Sequence, residues 1–105
     1  MKKTIERIKK FRDDRDWKQF HTPSNLAKAI SIEASELLES FLWDDENFNK
    51  EHVEEELADV IVYCLHMVDA LDVDIEEIIN KKMDKNEAKY PVEKAKGNSK
   101  KYTEL

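Results

Sequence analysis

The sequence predicts an all-α fold, a four-helix bundle, on three observations. Apolar residues recur every three or four positions through most of its length, the period of helices with one buried face. Gly and Pro together number three in 105 residues, too few for the turns of an all-β domain. No stretch alternates apolar and polar residues as a half-buried strand does. A chain of 105 residues argues for a single domain over 1–105, with a core small enough that association with further copies would help it.

The first helix is expected over residues 3–17, where Ile5, Ile8 and Phe11 make a narrow apolar face. DWKQFHTPSN then breaks the pattern. Pro23 disfavours helix at Thr22 and suits a first helical turn, with Thr22 or Ser24 as the cap. A second helix follows over about 24–43, and WDDENFNK is a polar connector whose short side chains can bond to their own backbone. The third helix spans about 50–71. Asp72 or Asp74 caps a fourth over about 74–89, with Ile75, Ile78, Ile79 and Met83 as its apolar positions. Pro91 ends it, and the tail 92–105 reads as extended or loose. Short connections imply mostly antiparallel neighbours.

Charge and cysteine content bound the function. The net charge of −6 argues against a nucleic acid polymer as partner. Residues 81–105 carry eight lysines against four acids, whereas the remainder carries ten basic and twenty acidic residues. That makes an acidic body suited to cations and a basic end that either meets phosphates or is merely solvated. No run approaches the ~18 apolar residues of a membrane span. The opening MKKTIERIKKF lacks an apolar signal region, so a cytoplasmic location is expected. Cys64 is the sole cysteine, which excludes an internal disulfide, and it reads as core packing.

The chemistry is concentrated between Glu33 and Asp59. Glu33 and Glu36, in IEASELLE, and Glu56 and Asp59, in EEELADVIVY, are two acidic pairs spaced i, i+3, each on one helix face. At ~100° per residue, Leu26, Ile30, Leu37 and Phe41 form the apolar stripe of the second helix. Glu33 falls inside it and Glu36 lies about 60° further round. Val53, Leu57, Val60, Cys64, Met67 and Leu71 form the stripe of the third, with Glu56 at its edge and Asp59 about 60° beyond. If the stripes pack together, four carboxylates meet beside the core. Desolvation and mutual repulsion then require protons or a cation among them. An all-carboxylate oxygen cluster suits Mg²⁺, with Mn²⁺ as a substitute, and leaves open positions for phosphate oxygens. The bland alternative is a set of surface acids in an acid-rich chain.

Other residues could join such a site. His52 precedes Glu56 by four, but one imidazole among carboxylates favours no transition metal, and it reads as surface. His66 lies on the Asp59 side and either supports the site or is exposed. Trp17, Phe20 and His21 crowd the first connector, Trp43 ends the second helix, and Tyr63 stacks on the acidic face four residues after Asp59. Aromatics beside a metal–phosphate site can sandwich a nucleobase; otherwise they pack loops onto the bundle. Lys82 and Asn86, spaced i, i+4, can reach phosphate oxygens or remain solvated. Ile61, Val68, Leu38 and Leu42 sit well round from the stripes and need cover, for which a symmetric partner is the common source.

HTPSNLAKAISIEASELLESFLW followed by EELADVIVY resembles the MazG-type all-α nucleoside triphosphate pyrophosphohydrolases. DWKQFHTPSNL and KMDKNEAKYP…SKKYTEL are similar to the dCTP pyrophosphatase branch of that family. The resemblance spans about residues 10–105, with the motifs in family order. Ala34 and Ser35 stand where Gly is frequent in that branch. The resemblance implies that Glu33, Glu36, Glu56 and Asp59 ligate Mg²⁺ and that Trp17, His21, Trp43 and Tyr63 line the base and sugar pocket. It further implies that Lys82 and Asn86 meet the phosphates and that Lys101 and Tyr102 lie in a tail closing over the site. The resulting expectation is a homo-oligomer, dimer or tetramer, that hydrolyses a deoxynucleoside triphosphate to the monophosphate and pyrophosphate. Deoxycytidine nucleotides, normal or modified, are the favoured substrates by resemblance, and the role is cleaning of the nucleotide pool. The rival reading is a non-catalytic helical interaction module with a structural cation.

Overall fold

The computed structural model describes residues 1–105 as five α-helices and no strand, in two compact units, Met1–Asp72 and Val73–Leu105. The first unit contains α1 (Lys2–Asp14), a 3₁₀ turn (Lys18–Phe20), α2 (Pro23–Glu39) and α3 (Lys50–Ala70). The second contains α4 (Ile75–Lys89), α5 (Val92–Ala95) and a 3₁₀ turn (Tyr102–Glu104). No helix is long and apolar enough to cross a membrane.

Local chemistry accounts for most boundaries. Thr22 caps α2 by accepting from the Asn25 N–H at 3.1 Å, with Pro23 at the first helical position. Asn49 caps α3 and Asp74, rather than Asp72, caps α4 in the same way, accepting from the N–H groups of His52 and Glu77. Asp72 instead takes a left-handed conformation (φ 52°) after the end of α3. Three expected boundaries are corrected. The first helix stops at Asp14 rather than 17, because Asp16 is left-handed (φ 55°) and its carboxylate and carbonyl both accept from the Gln19 side chain. The second stops at Glu39 rather than 43. Ser40, Phe41 and Leu42 form successive tight turns, Phe41 packs edge-on to Phe48 at 4.9 Å, and Asp44 ties the connector by accepting from Glu46 and Asn47. The tail is not featureless: Val92–Ala95 makes one helical turn, and Tyr102 lies against Tyr90 with the Lys89 ammonium 4.7 Å from its ring centre.

Within the first unit α2 packs along α3, and α1 lies on α3 from another side. Leu26 and Leu65 are the buried apolar residues. The single stripe expected for α3 is corrected accordingly. Leu57 and Leu71 are exposed, whereas the whole run from Val62 to Asp69 is half-buried or buried, Cys64 included, because two helices cover this half of α3.

Arg12 is 4% exposed and unforeseen. Its Nη1 donates to Asp69 Oδ2 at 2.6 Å, its Nε donates to Asp13, and Lys9 reaches Asp69 Oδ1 at 3.1 Å. The Arg12 hydrogen bond is the chief reason the Asp69 carboxyl lies below the ordinary carboxylate range, with Lys9 adding to it. Because the folded value is depressed, this stabilisation is complete above the ordinary carboxylate pKa and is lost as pH falls through the lowered one. Asp69→Asn should therefore cost about 2 kcal/mol at neutral pH, the scale of a hydrogen bond to a charged group, and less in acid. Urea titrations at neutral and acid pH read this directly. An unchanged neutral midpoint would mean that the apolar face of α1 alone holds it.

Candidate active site

The antiparallel run of α2 beside α3 brings Glu33 against Glu56 and Asp59. One carboxylate oxygen from each lies within 4.8 Å of the others. Glu33 is half-buried, the Glu56 side chain is 16% exposed, and Asp59 faces outward. Glu33 Oε2 and Glu56 Oε2 are buried with no hydrogen-bond partner. Burial chiefly raises the Glu33 carboxyl above its ordinary range, followed by the hydrogen bond and charge of Glu36, then the charges of Asp59 and Glu56. Burial likewise raises Glu56, followed by the charge of Glu36. Glu36 thus belongs to the cluster electrostatically while standing outside the closest trio. His52, as expected, is exposed, with Nε2 3.8 Å from Glu56 Oε1. No lysine or arginine pairs with any of the four carboxylates.

This donor set fits a hard divalent cation. All four groups offer oxygen, two of those oxygens are buried and orphaned, and leaving such charges uncompensated is costly. Glu33, Glu56 and Asp59 are placed to hold the cation together, with Glu36 beside them.

A cavity of about 410 Å³ adjoins the cluster, between α1 and α3. Its walls are Thr4, Arg7, Ile8 and Phe11 from α1, Trp17 and His21 from the connector, and Asp59, Val62, Tyr63 and His66 from α3. Asp59 is the residue common to cavity and cluster. Trp17 stands edge-on to Phe11 with ring centres 5.7 Å apart. The His21 ring centre is 4.5 Å from that of His66, which is 6.1 Å from that of Tyr63. The size falls in the range of small-molecule pockets, ~300–1,000 Å³, and the mostly apolar wall with a few polar groups suits a flat ring carrying an anionic group.

Trp17, His21 and Tyr63 are thus brought together with Asp59. Trp43 is not: it follows the early end of α2 in the connector, 93% exposed. Lys82, Asn86, Lys101 and Tyr102 belong to the second unit. Lys82 and Lys101 are exposed there, and the Asn86 amide lies 3.9 Å from the Met83 sulfur.

Thr4, Arg7 and Val62 were not singled out by the sequence, Ile8 and Phe11 were read only as an apolar helix face, and His66 was left open between support and exposure. Their signal lies in spacing. Thr4–Arg7–Ile8–Phe11 and Asp59–Val62–Tyr63–His66 are both i, i+3, i+4, i+7 faces. Only the pairing of the two faces makes them walls of one cavity. His66 is buried, and burial, then His21, then Arg12 push its imidazole down to about 4 against the opposing pull of Asp69 and Asp13. His21 is lowered by burial first and Arg12 second.

Comparison with known proteins places this geometry in context. A family model described as the MazG-like family matches residues 28–105. The dCTP pyrophosphatase 1 of Mus musculus is 35% identical over 115 residues, covering 97% of this chain and 68% of that protein. The dCTP pyrophosphatase 1 of Homo sapiens is 36% identical with the same coverage. Among solved structures, the crystal structure of a pyrophosphatase from Archaeoglobus fulgidus DSM 4304 superposes with a TM-score of 0.81 at 45% identity. That match covers 87% of this chain and 92% of the other.

Proposed function

The chain belongs to the MazG-like family and is a nucleotide diphosphatase, and from that premise we propose that it is a divalent-cation-dependent deoxynucleoside triphosphate pyrophosphohydrolase. Its reaction is dNTP plus water giving dNMP and pyrophosphate, with dCTP or a modified dCTP as the favoured substrate. The carrying observation is Asp59, shared by a carboxylate cluster that calls for a cation and a cavity that suits a base. The relatives in Mus musculus and Homo sapiens are dCTP pyrophosphatases, which supports the base assignment.

Glu33, Glu36, Glu56 and Asp59 are the residues that would hold the cation. Mg²⁺, or Mn²⁺ in its place, supplies neutralisation of phosphate charge and polarisation of the phosphoryl group under attack. Trp17, Tyr63 and His21 hold the base and so fix the α-phosphorus beside Asp59. A carboxylate of the cluster accepts the proton of the attacking water. Trp43, Lys82, Asn86, Lys101 and Tyr102 are kept as substrate contacts on the strength of the resemblance.

A second copy is proposed to cover the exposed apolar side chains of the first unit, Ile32, Leu38, Leu42, Leu57 and Ile61. Cleaning of the nucleotide pool in the cytoplasm is the role that fits this chemistry.

One experiment tests the reading. Protein whose mass has been followed by light scattering through a dilution series is incubated with Mg²⁺ and each dNTP, and the products are resolved. The expected result is pyrophosphate and dNMP from a species of at least twice 12.4 kDa. Orthophosphate and dNDP would place attack at the γ-phosphorus, and absence of turnover would favour a non-catalytic module. Full specific activity in a monodisperse monomer would remove the second copy.

A further inference from the structure

His66 has no evident packing reason to be a histidine. It sits on the covered half of α3, 6% exposed, in the wall of the cavity. No hydrogen bond from the protein engages its ring, in contrast to Arg12 and Asp69 one turn away, which satisfy each other. The adjoining His21 goes one step further: its Nδ1 is itself buried with no partner. Two imidazoles with ring centres 4.5 Å apart therefore stand at the cavity with nitrogen atoms that the fold leaves unsatisfied. Buried polar groups are ordinarily paired, and each exception calls for an explanation.

We propose that His66 is a specificity-determining residue, reading the donor–acceptor edge of the substrate's base from the inner wall of the cavity, with His21 beside it. The inference rests on the reading of this cavity as the base pocket and goes beyond it by assigning the selection among bases to a residue of α3.

The charge around the pair supports an uncharged reader. Burial first, and the charge of Arg12 with it, oppose protonation of both rings; His21 adds to this at His66, where Asp69 and Asp13 pull the other way. A neutral imidazole carries one donor and one acceptor. With one nitrogen from each ring, the pair can meet a heterocycle offering an amino or imino donor next to a ring-nitrogen or carbonyl acceptor, and a base that leaves either nitrogen unpaired is penalised. An apolar wall would bind all bases by stacking and select little among them.

The test compares His66→Leu, which keeps volume and removes both nitrogens, with His66→Gln, which keeps a donor and an acceptor. For His66→Leu, KM for the preferred dNTP should rise roughly 10- to 100-fold with kcat within about twofold, and the ratios of kcat/KM among the four dNTPs should converge. His66→Gln should retain most of the preference. Should His66→Leu not fold, the unsubstituted protein decides: the imidazole ¹⁵N resonances of His66 should move on saturation with the α,β-imido analogue of the preferred dNTP. An unchanged base preference in His66→Leu, a uniform loss of kcat for every base, or unmoved ¹⁵N resonances would each overturn the assignment while leaving the enzyme reading standing. A wild-type protein that neither hydrolyses nor binds any dNTP would overturn both.

Discussion

Glu56→Gln and Asp59→Asn should each reduce kcat by roughly 100-fold or more, the scale of losing a group that stabilises charge in a phosphoryl-transfer site, while the helical fold remains intact. Glu56 offers a buried oxygen with no protein partner, and Asp59 is the point at which cluster and cavity meet. Neither side chain braces the fold by a salt bridge other than the long contact of Glu56 with exposed His52. Removing one negative charge from a cluster that raises its own carboxyls relieves repulsion, so the metal-free variants should be as stable as the parent or more so. Circular dichroism and thermal melts in chelator, alongside turnover at saturating Mg²⁺, separate the two effects. A variant with near-parental kcat at saturating Mg²⁺ would remove that residue from the cation site. A variant that melts far below the parent in chelator would show the carboxylate to be structural.

Removing the divalent cation should abolish turnover and lower the melting temperature by about 10 °C or more. A ligand at a hundred times its Kd stabilises the native state by about 2.7 kcal/mol, and a domain of this size gains about 4 °C or more per kcal/mol. The pH dependence has a definite sign. Folded Glu33 and Glu56 have raised carboxyls, so between the ordinary and the raised value the metal-free native protein holds protons that the unfolded chain has released. The contribution of these two groups to the stability of the metal-free protein is therefore greatest below that window and declines as pH rises through it. Cation binding requires those carboxylates deprotonated, so the stabilisation by Mg²⁺ should grow with pH over the same window. Melts with Mg²⁺ and with chelator at several pH values measure both trends. A melting temperature indifferent to Mg²⁺ at every pH, together with full activity in chelator, would sink the cation site.

Much of this molecule is written in local chemistry. Thr22 or Ser24 beside Pro23, and Asp72 or Asp74 before an apolar period, announce helix starts because a cap is a contact between residues three apart, and the cap hydrogen bonds fall to Thr22 and Asp74. The two acidic pairs declare themselves because an i, i+3 spacing fixes their common face, and Glu33 stands out as a carboxylate inside an apolar stripe. The trio of Glu33, Glu56 and Asp59 then follows from packing those two helices together. The helix ends were less legible. Asp16 adopts a left-handed turn that its sequence permits but does not demand, and the Phe41–Phe48 contact forms only after the connector folds back, which carries Trp43 out into solvent.

What the sequence by itself determined was the helical class, the order of the elements and the carboxylates that could share a cation. Tertiary structure alone decided which parts of α3 are covered, that Arg12 is buried against Asp69, and that His66 faces a cavity shared with α1. The reason is physical. Periodicity describes one helix and one buried face, but α3 is packed on by two helices, so from Val62 to Asp69 every position is at least half-buried and no single stripe stands out. Arg12 and Asp69 are 57 positions apart, and nothing local to either signals the other. The cavity exists only where the i, i+3, i+4, i+7 face of α1 meets that of α3, a property of the pair and of neither helix alone.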